Sequence, residues 1–186
     1  VTADTIRLLF DNKKAAGDGM HRNIMRLFRL YMLIGGMPQA IETYLEQNNL
    51  QAVDKIKREI IDLYEEDFTK IDAKGMAGDI YKSIPASLTG NASRYVISKA
   101  RKGIKFKQTD EIIPDLINSY TVNIAYHSND PIVGMPLSKN IECYKLFTSD
   151  VGLFVTMVFK DKKYTDNLIY NKLLSDKLDT NLGYIY

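Results

Sequence analysis

Three consecutive amphipathic segments between residues 20 and 70 constrain the fold of this chain more than any other feature of its sequence. In each segment the apolar residues recur every three or four positions, which is the spacing of one face of an α-helix. The first predicted helix runs from about Met20 to Ile34, and the third runs from Leu50 to about Lys70. Their predicted core-facing residues are Ile24, Leu27, Phe28, Tyr31 and Ile34 in the first, and Val53, Ile56, Ile60, Leu63 and Tyr64 in the third.

The stretch LIGGMPQAIETYL, residues 33 to 45, separates the first of these helices from the second. Gly35 can adopt the left-handed conformation that closes a helix, and the fixed φ of Pro38 suits the first turn of the next one. A phosphate-binding loop would need the pattern G-x-x-x-x-G-K-[ST] after a buried strand, so that amides and a lysine converge on the phosphates. Here a helix precedes the glycines and the lysine is absent, so the stretch predicts a helix end followed by a helix start.

The second half of the chain changes from helical spacing to alternation. Helices are predicted over IYKSIPASL, around Ser93–Arg101, and after a cap at Thr109-Asp110. Val122, Ile124 and Tyr126 then alternate with polar residues, as in a half-buried strand, and ECYKLFT is a second strand. Asp150 is predicted to cap a final helix. Three helices, two strands and a helix are the order of a winged helix.

We therefore predict a mainly α fold with three parts. A helical subdomain covers residues 1–72, and a winged-helix-like subdomain with a small β-hairpin covers residues 73–160. Residues 161–186 are predicted to be a helical connector toward a further C-terminal domain.

Composition excludes several classes of protein. The 186 residues carry a net charge of +2, so binding to nucleic acid would have to depend on a local cluster of charge. A single cysteine, Cys143, excludes an internal disulfide framework and fits a reducing compartment, so we predict a cytoplasmic protein. No apolar run approaches the ~20 residues of a membrane-spanning helix, so no membrane partner is expected.

The segment RYVISKARKGIKFK, residues 94 to 107, is the strongest local cluster of charge. Six cations without an acidic residue predict salt-sensitive contact with DNA phosphates, and two aromatic residues, Tyr95 and Phe106, lie between them. These candidate residues are Arg94, Lys99, Arg101, Lys102, Lys105 and Lys107. A solvated face, or a face that docks on an acidic protein surface, stays open as the alternative, because the helix that follows is acidic at Asp110, Glu111 and Asp115.

Other chemistry-bearing residues favour structural roles. The carboxylates of DLYEEDFTKID lie on the polar face of a long helix, where pairing with Lys55, Lys57 and Arg58 explains them. His21 and His127 have no metal-ligand spacing, and Cys143 is predicted to be a small buried side chain. We therefore predict no catalytic, cofactor-binding or metal-binding residue in this chain.

Five stretches together resemble one known family. They are GGMPQAIETYLE, KREIIDLYEEDFTK, SIPASL followed by YVISKARKG, MPLSKNIECYKLFTSDVGLF, and the terminal NLGYIY. In this order they resemble the domain of unknown function that follows the ATPase core in bacterial and archaeal P-loop ATPases of the AAA type. The resemblance covers most of residues 30 to 186.

This resemblance implies a parent protein with three parts. An ATPase core comes first, then a helical and winged-helix-like middle, and then a domain similar to nucleases of the restriction-endonuclease fold. The sequence resembles the middle alone, since it has neither a Walker A motif nor the acidic-and-lysine nuclease motif. ATP and magnesium would thus belong to the ATPase core of the parent, and no cofactor is expected here.

We therefore expect a non-catalytic interaction module that couples such an ATPase to DNA or to a protein partner. The ATPase and nuclease-like domains of the parent are themselves expected partners, and a homo-oligomer is compatible with this interpretation. The alternative is a structural spacer or oligomerisation region between these two domains. That the chain is itself an enzyme is not expected.

Overall fold

The computed structural model describes residues 2–89, 92–103, 109, 111–130, 138–160 and 167–175. Within these ranges the chain forms eight α-helices, one 3₁₀ turn and one two-stranded sheet. The elements are α1 Ala3–Asp11, α2 Asp18–Ile34, α3 Pro38–Gln47, α4 Leu50–Ile71, α5 Met76–Thr89, the 3₁₀ turn Ile97–Lys99, α6 Ile112–Asn118, β1 Val122–Ser128, β2 Lys139–Thr148, α7 Val151–Val158 and α8 Asn167–Ser175. The predicted mainly helical fold with a small β-hairpin is confirmed.

Helix boundaries in the first half follow local backbone chemistry. The N–H of Gly35, at a φ of 82°, donates to the Tyr31 carbonyl and ends α2, and its ψ of −168° is extended rather than left-handed helical. Pro38 occupies the first turn of α3. The side chain of Asn49 accepts hydrogen bonds from the amides of Gln51 and Ala52 and so caps α4. The predicted helix end and helix start are therefore confirmed.

The two strands pair antiparallel as a hairpin. Their register runs from Val122 opposite Thr148 to Tyr126 opposite Tyr144, and then shifts so that His127 lies opposite Asn140. The extra residues of this bulge belong to β2, which leaves β1 regular. On its other side, β2 accepts a hydrogen bond at the Tyr144 carbonyl from the N–H of Tyr95.

One continuous apolar core joins the helices to the hairpin. Phe68 of α4 and Tyr81 of α5 pack ring against ring with centroids 5.1 Å apart. Leu116 of α6 and Leu146 of β2 lie in the same cluster as these rings. This cluster includes residues on both sides of residue 72. The predicted division of the chain into parts at residues 72 and 160 is not tested by it and stays a prediction.

Two details of the helices differ from the sequence prediction. The apolar face predicted for α2 is exposed at Leu27, Phe28 and Tyr31, and only Leu33 and Ile34 are buried. The core contacts this helix only near its C-terminal end, and α1 in turn buries no residue at all. Similarly, Leu63 of α4 is exposed rather than inward.

The helix predicted around Ser93–Arg101 is wrong, since only Ile97–Lys99 forms a 3₁₀ turn. Tyr95 donates its N–H to β2 and stacks its ring on Tyr144, with centroids 6.1 Å apart. This pairing with a strand requires an extended backbone, so tertiary contacts override the helical preference of the segment.

Candidate functional site

The candidate DNA-binding cations do not share one environment. Arg101 donates from Nε to the Asp79 carboxylate at 2.7 Å, so a neighbouring acid already offsets its charge. Lys99 donates from Nζ to the Ala86 carbonyl at 2.6 Å. Arg94 and Lys102 are exposed, and neither makes a hydrogen bond or ion pair to another described residue. Lys105 and Lys107, like Phe106, lie outside the described residues.

The aromatic residue of this segment, Tyr95, belongs to the core rather than to a binding surface. Its ring is buried, and its hydroxyl lies 2.6 Å from the Ser83 hydroxyl. Burial raises the pKa of Tyr95 to about 12. A base could not stack on this ring without unpacking α5 from β2.

A buried charged cluster lies where α2, α4 and α7 meet. Lys57 of α4 is 0% exposed, and its ammonium donates to the Leu33 carbonyl at 2.6 Å and to the Gly152 carbonyl at 3.3 Å. The Leu33 carbonyl is in the last turn of α2, where a cation also interacts favourably with the helix dipole. Burial lowers the pKa of Lys57 to about 8, while the charges of Asp54 and Asp150 oppose this shift.

Asp54 provides the opposite charge one turn earlier on α4. Its carboxylate accepts from Arg58 Nε at 2.8 Å and from the Thr156 hydroxyl of α7 at 3.1 Å. Burial alone would raise the pKa of Asp54, but the hydrogen bond and charge of Arg58, together with Tyr170 and Lys57, outweigh burial and lower it. A carboxylate and a lysine thus share this buried site as charged groups at neutral pH.

Asp150 joins the end of α2 to the start of α7. Its carboxylate accepts from the Leu153 amide at 2.8 Å and from the Gly36 amide at 2.6 Å. Gly35 lies so close that a Cβ atom there would overlap this carboxylate, and a Cβ on Gly152 would overlap the Ile34 carbonyl. The prediction that Asp150 caps a helix is confirmed. We call Gly35, Gly36, Lys57, Asp150 and Gly152 the α2–α7 joint.

A family model described as a domain of unknown function, DUF8612, matches residues 25–164, more than half of the chain. The chain belongs to this family. No curated protein and no solved structure gives a significant match. Every residue of the α2–α7 joint lies inside the DUF8612 match, whereas α1 and the first turns of α2 precede it.

The DUF8612 domain also carries a surface cluster of charge beside a groove. Lys160 and Lys82 each contact one oxygen of the Glu65 carboxylate, at 2.6 and 2.7 Å. They lie at the rim of a groove of about 480 Å³ between α4, α5 and α7, whose apolar lining includes Ile61 and Met157. The Asp62 carboxylate also lies 3.6 Å from the Lys160 ammonium, so two carboxylates balance the two lysines and the cluster presents no excess charge to a ligand.

Sequence reasoning missed the buried charges of the DUF8612 domain. It placed Lys57 on a solvated face, which is wrong, because Lys57 is fully buried. A signal was present, since Val53, Lys57 and Ile61 are spaced by four residues and so share the apolar stripe of α4. A lysine in the centre of such a stripe must either extend to solvent or find acceptors inside, and here backbone carbonyls provide them.

Three further features of the described residues bear on the sequence predictions. Among the residues that the structure describes, no three His, Cys, Asp or Glu side chains lie together as a metal site would require. None of the helices in these ranges combines the length and apolarity needed to cross a membrane. Cys143 lies in β2 as predicted, although it is half-buried rather than fully buried.

Proposed function

We propose that this chain is a non-catalytic interaction module that docks on a protein partner through its N-terminal helices. We call α1 and α2 the helical arm. Its exposed apolar side chains are Ile6, Leu8, Phe10, Leu27, Phe28 and Tyr31. The observation that carries this proposal is that α1 buries none of its residues, although Phe10 is 82% and Leu8 is 65% exposed.

Helix formation in water makes this exposure informative. An isolated helix shorter than ~12–15 residues is marginal, because nucleation is costly and most helical stability in proteins comes from packing. At nine residues, α1 is below this length and has no core contact to compensate. A partner surface that covered Leu8 and Phe10 would contribute about 1.5–3 kcal/mol for each side chain fully removed from water.

The sequence resemblance supports an ATPase as the parent and as the source of this partner surface. In the AAA-type ATPases that the chain resembles, the domain follows an ATPase core, and α1 and the first turns of α2 precede the DUF8612 match, which begins at residue 25. The arm would then transmit movements of a core that binds ATP and magnesium. A nuclease-like domain of the parent would follow this module in sequence.

The test uses the parent protein as the gene encodes it. The coding sequence upstream should contain a Walker A motif. A photo-crosslinking amino acid placed at Phe10 should then attach to the ATPase core, whereas the same amino acid at Leu45 should not. Leu45 is a matched control because it is 76% exposed and lies on α3, outside the arm. The ATPase partner would be rejected if only the amino acid at Leu45 cross-linked to the core. It would also be rejected if the coding sequence upstream contained no ATPase core.

DNA is a second candidate partner, favoured by the exposure of Arg94 and Lys102. Both side chains are exposed, as is Lys99, whose ammonium donates to the Ala86 carbonyl, and exposed cations can contact phosphates. The order of α5, the 3₁₀ turn, α6 and the hairpin supports a winged-helix-like interpretation, in which this segment would lie near the DNA backbone. The acidic Asp115 of α6 opposes it.

A fluorescent duplex titrated at low salt tests the DNA candidate. Reversing Arg94, Lys99 and Lys102 to glutamate should abolish a salt-sensitive affinity, because each phosphate contact contributes to the salt slope. Reversing Lys14, Lys55 and Lys70, three exposed cations outside this segment, is the control for net charge. DNA would be eliminated as a partner if the wild type bound no duplex at low salt, or if the control variant lost as much affinity as the test variant.

A structural spacer is the remaining alternative, and it makes a different prediction for the arm. A spacer sets the distance between two domains and requires no specific contact from Phe10 or Leu8. Substituting both residues with alanine would then leave ATP hydrolysis by the parent unchanged. The docking proposal instead predicts a loss of coupling between the ATPase core and this module.

A further inference from the structure

We infer that the open edge of β1 is a self-association surface, at which a second copy of this chain pairs its own β1 in antiparallel orientation. The sheet has only two strands within the described residues, and β1 bonds to β2 alone among them. The far edge of β2 already accepts the Tyr95 amide, so β1 carries the open edge. Asn123, Ala125 and His127 are exposed along this strand.

The composition of β1 leaves this edge unprotected. Natural proteins block exposed edges with lysine, proline, inward-pointing charge or a bulge in the edge strand. The strand VNIAYHS contains no Lys, Arg, Asp, Glu, Pro or Gly, and the bulge lies in β2. Its seven residues also exceed the usual strand length of ~5–6, and at alternate positions the backbone groups on the open side pair with no other strand of the described ranges.

The same composition favours a second copy as the occupant. A two-fold axis near Ala125, the middle residue of β1, would place Ala125 opposite Ala125 and Asn123 opposite His127. This pairing brings no like charges together, and two alanines permit close approach of the backbones. Because each copy uses the same edge, pairing closes both edges and stops at a dimer with a four-stranded sheet.

Charge substitutions at the two-fold axis test the pairing. Ala125→Asp and Ala125→Lys each place two like charges directly opposite each other in a dimer, whereas an equimolar mixture places opposite charges there. Ala125 is exposed, so both variants should fold, which far-UV circular dichroism checks. We expect the weight-average mass of the wild type in sedimentation equilibrium to rise from 21.2 kDa toward twice that value with concentration.

We expect each single variant to remain monomeric and the mixture to form a heterodimer. A wild type that stays monomeric at millimolar concentration overturns the inference, even if β1 accepts a peptide from another protein. Dimers that form equally in both single variants also overturn it, since another surface must then hold them.

This test is independent of the docking proposal. A Leu27→Glu and Tyr31→Glu variant alters the helical arm and should dimerise like the wild type. If this arm variant instead loses the dimer, the arm rather than β1 holds the two copies together, and the inference is overturned. Loss of partner docking with an intact dimer would leave both proposals standing.

Discussion

The carboxylate of Asp150 accepts a hydrogen bond of 2.6 Å from the backbone N–H of Gly36, although 114 positions separate the two residues. Through this contact the stretch GGMP and the stretch SDVGLF form one structural unit. The N–H that Asp150 satisfies lies just past the end of α2, and the same side chain caps α7. The joint therefore fixes where the helical arm leaves the core.

Removal of the Asp150 side chain should weaken the whole domain. Asp150→Ala loses the cap of α7 and leaves the Gly36 amide without its acceptor, which together should cost about 2–3 kcal/mol. Urea unfolding followed by circular dichroism measures this difference. Asp67→Ala is the control, because its ion pair with Lys70 is exposed and solvent screening leaves such a pair little effect on stability. Equal effects of the two substitutions would contradict the role of the joint.

Gly35 should tolerate no side chain. Its φ of 82° disfavours other residues, and a Cβ would overlap the Asp150 carboxylate, so Gly35→Ala should destabilise by at least about 2 kcal/mol. Gly78→Ala is the matched control within α5, where a Cβ meets open space. There alanine should stabilise by about 0.5–1 kcal/mol, because it favours the helix. A harmless Gly35→Ala in the same unfolding assay would argue against close packing at the joint.

Lys57 should give the domain an unusual dependence on pH. The pKa of Lys57 is about 8 in the folded chain and ~10.4 in the unfolded chain, so between these values only the unfolded chain holds the proton. Stability should therefore rise with pH across this window, by up to about 3 kcal/mol. The raised pKa values of the buried Tyr81 and Tyr95 act in the opposite direction above pH ~10, as tyrosine ionises in the unfolded chain.

The free energy of unfolding measured at half-unit intervals from pH 7 to 10 checks this prediction. Lys57→Met keeps most of the side-chain volume and removes the titrating group, so its rise in stability above pH 8 should disappear. Lys55→Met is the control on the same helix, because Lys55 is exposed. Parallel curves for wild type and Lys57→Met would show that the buried lysine does not titrate as proposed.

The sequence predicted local features of this fold better than its packing. The sequence predicted the end of α2 at Gly35, the start of α3 at Pro38 and the cap at Asp150. Each of these features depends on one or two residues whose conformational preferences are strong. The alternation of apolar and polar residues that predicted β1 is likewise a property of residues adjacent in sequence. These predictions needed no knowledge of which surfaces meet.

The periodicity of apolar residues does not predict which distant segments of the chain contact each other. The apolar stripe of α2 predicts a buried face, yet nothing in the described residues covers Leu27 and Tyr31, because a stripe does not specify its partner. Lys57 was assigned to solvent because its acceptors, the carbonyls of Leu33 and Gly152, are backbone atoms that no sequence pattern marks. For the candidate DNA contacts, the sequence named the cations but could not foresee that Asp79 engages Arg101.

The first helix of the arm, α1, should matter little for the stability of the isolated chain. Because α1 buries no residue, deletion of residues 1–14 should change the free energy of unfolding by less than ~0.5 kcal/mol. Thermal and urea unfolding of the truncated chain measure this. A loss of several kcal/mol would mean that α1 packs on its own chain, so that the arm would not be available for docking.

Binding of the purified chain to the ATPase core encoded upstream tests the central claim most directly. In isothermal titration calorimetry, Phe10→Ala and Leu27→Ala should each weaken the affinity at least about 10-fold, as substitutions of buried interface anchors do. Leu45→Ala, which removes an equally exposed leucine outside the arm, should stay within about 2-fold of the wild type, as peripheral residues do. If the core does not bind the chain, or if Leu45→Ala weakens binding as much as the arm variants, the helical arm is not the docking surface.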